Sequence, residues 1–206
     1  NLIISLSDDW NLISGISYPV EINAAIDPDN LIIPGTVYGF EDNGYTLAET
    51  IEPGKGYWLR SSGEGEITFY SSAPAGRTQS IELPEHMNTI TFNQSTLFFG
   101  TTEKSFDSMR FGLPPKPPTG AFDIRFSGDS KLCTNSECSI EVMNSGKPLD
   151  LDFDIIEGET WEIVPVTTNG TTWEEAILIM DFEQITLNTN IEQFILRKTT
   201  SSHGPT

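Results

Sequence analysis

The sequence predicts an all-β protein: a small antiparallel β-module over residues 1–75, an immunoglobulin-like β-sandwich over 76–198, and a linker over 199–206. Three observations carry this expectation. Apolar residues hardly ever recur at helical spacing; they alternate with polar ones in short runs. Turn-forming Gly, Pro, Asn and Asp separate those runs at close intervals, and no long helical segment intervenes. The stretch Ile51-Glu52-Pro53-Gly54-Lys55-Gly56-Tyr57-Trp58-Leu59-Arg60 then sets a tight turn directly before a strand of large rings. Pro53 presets φ for the second turn position, and Gly54 supplies the positive φ that a type II turn needs next. A phosphate loop is excluded on spacing, because Lys55 lacks the following Ser or Thr and the glycines stand too close.

Taken in order, Leu2–Leu6 and 10–16 read as strands joined at Ser7-Asp8-Asp9. Residues 18–34 are less regular and hold a turn at Asp27-Pro28-Asp29-Asn30. Val37–Phe40 should pair with Tyr45–Leu47 across Asn43-Gly44, a hairpin signal. The strand at Tyr57 follows, and Gly63-Glu64-Gly65 turns the chain into Glu66–Tyr70.

Further strands are expected at 79–83, 88–92, 96–99, 121–126, 139–143, 147–156, 161–166, 176–180, 184–187 and 192–197, with one helical turn at most near Glu174-Glu175. Leu113-Pro114-Pro115-Lys116-Pro117-Pro118 cannot join a sheet interior, since its prolines lack the N–H donor. It is expected as a stiff polyproline II crossover between the sheets of the sandwich. A docking motif for a proline-reading domain is the sharper alternative.

Thirty acidic residues against eleven basic ones give a net charge of −19. Such a surface repels nucleic acid and anionic membrane, both of which are bound through Lys and Arg. No apolar run approaches a membrane span, so membrane insertion is not expected. The chain opens without a basic leader, and any signal peptide is expected to be absent or removed; residues 198–206 read as a linker toward something further on. Cys133 and Cys138 bracket four residues, a spacing that suits neither a zinc site nor a redox pair. A local disulfide is expected, contributing about 2 kcal/mol and implying an oxidising, hence extracellular, compartment.

Three groups of residues together resemble a known module. They are Asp9-Trp10-Asn11-Leu12-Ile13-Ser14, then Val37–Phe40 through Tyr45 to the Glu52-Pro53-Gly54-Lys55-Gly56-Tyr57-Trp58 stretch, and finally Leu97–Gly100 with 113–118 and Gly120–Phe126. The resemblance is to a β-module of exported proteins from Bacteroidetes-related bacteria. It covers most of residues 1–126, with Asp9 standing where the family has Gly. Such modules lie upstream of the sorting domain read by type IX secretion. The resemblance implies export to the cell surface, neighbouring domains of the same protein as partners, and no catalytic residue to carry over.

Candidate chemistry is sparse. The two histidines, His86 in a turn and His203 in the tail, read as surface residues. Leu149–Ile155 alternates, so Asp150, Asp152 and Asp154 line one strand face about 7 Å apart, where they could hold calcium or simply face solvent. No other cofactor is implied. Trp173, Tyr18 and Tyr45 sit near turns and could stack on sugars, whereas Trp10 and Trp58 are expected in the core. Leu2, Ile3 and Ile4 form an uncharged strand that could extend a neighbouring copy's sheet or pair within its own module. The reading is a non-catalytic extracellular module for adhesion, scaffolding or spacing, with carbohydrate binding and self-assembly into a fibre or surface layer as alternatives.

Overall fold

Alternating sequence becomes antiparallel sheet throughout the protein. The computed structural model describes residues 1–41, 44–70, 87–101, 107–143, 148–167, 175–179, 184–187 and 191–199. Among them strands and turns predominate, and the only helices are two short 3₁₀ turns, Ile22–Ala24 and Ser108–Phe111. No helix among the described residues is long and apolar enough to cross a membrane.

The chain divides into two units. The first holds the described residues of Asn1–Leu83 together with Asp107–Pro117, and the second those of Pro84–Phe106 and Pro118–Thr206. Asp107–Pro117 therefore departs from expectation. Instead of crossing between the sheets of the second unit, it belongs with the first, for a hydrogen-bonding reason given below.

The first unit contains β1 (Leu2–Leu6), β2 (Asp9–Ser14), β3 (Val20–Glu21), β4 (Ile32–Glu41), β5 (Gly44–Leu47), β6 (Thr50–Ile51), β7 (Gly56–Ser61) and β8 (Gly65–Phe69). Strands β2, β7, β4 and β5 form a four-stranded antiparallel sheet in that order, with β1–β8 and β3–β6 as two-stranded partners. One face of the larger sheet buries Ile13, Val37, Tyr57 and Leu59 against Leu6, Ile51, Ile67 and Phe69. Gly54 has φ +74°, as the Pro53-Gly54 turn requires, and the Glu52 N–H donates to the Tyr57 hydroxyl at 3.0 Å. The turn is thus pinned to the strand it feeds. Asp9 also takes a positive φ of 71°. The Asn11 side chain bridges the Ser7 and Asp9 carbonyls across this tight corner. The expected hairpin forms, with Phe40 opposite Tyr45, while its tip at Asp42 and Asn43 lies outside the described residues.

The second unit contains β9 (Asn88–Phe92), β10 (Ser95–Phe99), β11 (Asp123–Phe126), β12 (Leu132–Cys133), β13 (Glu137–Met143), β14 (Leu149–Asp154), β15 (Trp161–Thr167), β16 (Ile177–Ile179), β17 (Gln184–Leu187) and β18 (Ile191–Lys198). They make two five-stranded sheets, β12-β10-β9-β14-β17 and β11-β13-β18-β15-β16. Among the described residues every pairing is antiparallel except β10 with β12. Both sheets feed one apolar cluster, with Phe92 against Phe194 and Phe99 edge-on to Trp161 across it. Pro165 sits beyond the short stretch of β15 that β16 covers, where a missing donor is tolerated. The expected strand at 79–83 and the helical turn near 174–175 fall largely outside the described residues.

Two polar knots brace this second unit. Asn88, fully buried, donates to Glu159 and accepts from the Ile156 N–H; Glu159 also accepts from the Trp161 indole and from Lys198. On β11 the fully buried Arg125 makes a two-pronged pair with Asp123 and a further bond to Asp129. The expected disulfide is present, with Cys133 and Cys138 Cα atoms 6.3 Å apart. It does more than close a loop, because β12 and β13 belong to different sheets and the bridge ties them.

Candidate functional site: the outer face of the four-stranded sheet

The most distinctive surface arises from alternation on β2, β7, β4 and β5. With Ile13, Tyr57, Leu59 and Val37 turned inward, the opposite face carries Trp10 and Leu12, Trp58 and Arg60, Tyr38 and Phe40, and Tyr45 and Leu47. Cross-strand register sets Trp10 opposite Arg60, Leu12 opposite Trp58, Trp58 opposite Tyr38, and Tyr38 opposite Leu47. Nearly every side chain on this face is apolar or aromatic.

Segment Asp107–Pro117 lies against part of it as a strap. The Asp107 carboxylate caps the 3₁₀ turn Ser108–Phe111 by accepting the Met109 N–H, and Gly112 then leaves the turn at φ −64°, ψ 144°. That is polyproline II geometry. Phe111, Leu113, Pro114 and Pro117 are buried, while Pro115 and Lys116 face solvent.

Three side chains hold the strap by its carbonyls. Arg60 Nη1 donates to Met109 O at 3.1 Å, the Tyr38 hydroxyl to Gly112 O at 3.5 Å, and the Tyr45 hydroxyl to Pro115 O at 3.0 Å. Every third carbonyl of the strap is thus read by the next strand, in the order β7, β4, β5. A Cβ on Gly112 would come within 2.2 Å of Arg60 Nη1, so a larger residue there would make the Arg60 guanidinium shift.

The rest of the face stays open. Leu12 is 68%, Leu47 48% and Phe40 47% exposed, and Trp10 and Trp58 are half-buried. Arg60 stacks on Trp10 at 5.6 Å and pairs with Asp9 at 2.7 Å, while Trp10 also meets Tyr38 with ring centroids 6.0 Å apart. This corrects the placing of Trp10 and Trp58 in the core. Their signal was readable only as apolar strand character, which both faces of β7 share.

The other candidates lie elsewhere or do something different. Tyr45 is a packed strap holder, its ring against Tyr38 and Phe40. Tyr18 is exposed in the bend before β3 and makes no ring contact among the described residues. Trp173, His86 and His203 lie outside the described residues.

Asp150, Asp152 and Asp154 all face outward from β14, as the alternation requires. Asp150 accepts from Thr186, and Asp152 and Asp154 are flanked by Thr91 and Thr89 rather than by further acids. Among the described residues no three His, Cys, Asp or Glu side chains gather as a metal cluster. Leu2, Ile3 and Ile4 pair with Phe69, Thr68 and Ile67 on β8, so this strand is bonded within its own unit on one edge, with Ile3 58% exposed. Among the remaining titratable groups, burial pushes the Lys131 ammonium down to about 8.

The fold and this face define an all-β protein bearing an aromatic sheet surface partly covered by its own proline-rich strap. Comparison with protein-family models, with curated proteins and with solved structures returned no match.

Proposed function

We propose that this chain is a non-catalytic extracellular module of an exported cell-surface protein, serving adhesion, scaffolding or spacing beside other domains of that protein. The observation that supports the reading is the open half of the aromatic sheet face. An exposed apolar patch on a chain with a net charge of −19 is a binding surface by its chemistry, since burying it against a ligand recovers hydrophobic free energy. The Cys133–Cys138 bridge favours an oxidising compartment, and the resemblance to type IX cargo modules favours the cell surface.

The test is adhesion of the labelled full chain to bacterial cell surfaces and to a glycan array, wild type against Leu12→Asp. Retention that drops in the variant supports the module; equal retention of both, or turnover of any substrate, rejects it. Carbohydrate binding is the second reading, favoured by the exposed Phe40 and half-buried Trp58 rings on one sheet face. Self-assembly through Leu2, Ile3 and Ile4 is a third, favoured by their uncharged sequence and by pairing, among the described residues, on one edge only.

A further inference from the structure

The strap crosses the sheet along a diagonal. From Arg60 on β7 to Tyr38 on β4 to Tyr45 on β5, each step moves one strand over and two residues along. Diagonal cross-strand neighbours lie about 7–8 Å apart. Three residues of polyproline II span about 9 Å, so a chain in that conformation brings an equivalent carbonyl round at nearly the same interval. This match accounts for the step from Gly112 to Pro115, while the step from Met109 to Gly112 is made by the 3₁₀ turn that the Gly112 N–H closes on Met109 O.

Displaced by one strand, the same diagonal passes through Trp10 on β2, Trp58 on β7 and Phe40 on β4. These rings form a second lane beside the strap, with exposed Leu12 next to Trp58. Both tryptophans carry an indole N–H, the counterpart of the tyrosine hydroxyls in the filled lane. Among the described residues neither indole N–H has a hydrogen-bond partner. The open lane therefore repeats the filled one in spacing, with an indole N–H at two of its three positions and a ring without a donor, Phe40, at the third.

We infer that this open lane binds a proline-rich segment of a partner protein in polyproline II conformation, with the strap as the chain's own example of that ligand. The inference rests on the binding-module reading and names its partner class. Proline rings present flat apolar surface to Trp10, Trp58 and Phe40, and the fixed φ of proline removes much of the ordering cost. Proline-rich carbonyls, lacking a competing N–H on the same residue, suit the indole donors. Recognition through carbonyls and rings needs no charge on the ligand, which fits a face whose Arg60 is already paired with Asp9.

The experiment uses the full chain and a capped peptide of sequence Leu-Pro-Pro-Lys-Pro-Pro, followed by tryptophan fluorescence and by chemical-shift mapping. Expected is saturable binding that falls about tenfold or more in Trp58→Ala and in Leu12→Asp. The second variant guards against misfolding, because Leu12 is exposed. A peptide with alanine in place of every proline should bind at least about fivefold more weakly, having lost its preformed conformation. In Tyr45→Phe the affinity should be unchanged or higher.

No saturation up to about 5 mM peptide overturns the inference. So does binding indifferent to Trp58 and Leu12, or binding lost in Tyr45→Phe, which would mean that the peptide displaces the strap. Glycan binding through Trp58 without peptide binding overturns it too, yet leaves the binding-module reading standing.

Discussion

The Tyr45 hydroxyl donates to the carbonyl oxygen of Pro115 at 3.0 Å, joining residues 70 positions apart. This bond fastens the exposed end of the strap to the edge strand of the sheet. Tyr45→Phe keeps the ring contacts with Tyr38 and Phe40 and removes only the donor. The expected cost is about 0.5–1.5 kcal/mol in urea unfolding. Limited proteolysis should reach Pro115 and Lys116 sooner in the variant; identical cleavage rates would count against the strap being held there.

Arg125 is enclosed on β11 with Asp123 and Asp129. Burial by itself would lower its pKa, but the hydrogen bond and charge of Asp123, helped by Asp129, outweigh it and raise the value. Arg125→Ala leaves Asp123 buried without its counter-ion and should cost about 3–5 kcal/mol. The double variant with Asp123→Ala should lose much less than the sum of the two single losses. Additive losses would show that the pair is not coupled.

Burial pushes the Glu159 carboxyl up, yet hydrogen bonds from Lys198, Asn88 and Trp161 prevail and hold it below its usual value. A depressed folded pKa gives stability that is full above the unfolded value and disappears as pH falls through the folded one. Glu159→Gln should therefore be less stable than wild type at pH 7. The gap should close as acid protonates the wild-type carboxyl. A gap constant from pH 7 to pH 2 would refute the linkage.

Lys131 behaves in the opposite chemical sense. Its folded pKa, lowered to about 8 by burial, lies under the ordinary 10.5. Between those values the unfolded state binds more protons, so stability rises with pH across that window. Lys131→Met should flatten the rise. A matching slope in both proteins would exclude Lys131 as its source.

Cys133→Ala combined with Cys138→Ala removes a bridge between two sheets and should lower stability by about 2 kcal/mol. Reduction of the wild type by dithiothreitol should reproduce the loss. A melting temperature that responds to neither treatment would show that the bridge constrains nothing.

Sequence by itself determined the all-β class, the strand-turn punctuation, the Phe40–Tyr45 hairpin, the Cys133–Cys138 bridge and the outward acids of β14. Each follows from a local rule: a period of two, a turn residue, or a short covalent span. The aromatic face escaped those rules. In Trp10-Asn11-Leu12-Ile13 and Tyr57-Trp58-Leu59 apolar residues fall on both sides of the strand, so alternation cannot say which side turns inward. Only the tertiary structure decided it, when Ile13, Tyr57 and Leu59 met Leu6, Ile67 and Phe69 and left Trp10, Leu12 and Trp58 on the other side. Proline chemistry likewise kept 113–118 out of a sheet without saying where it would lie. Its place was fixed by Arg60, Tyr38 and Tyr45, donors distant in sequence that the sheet brings into line.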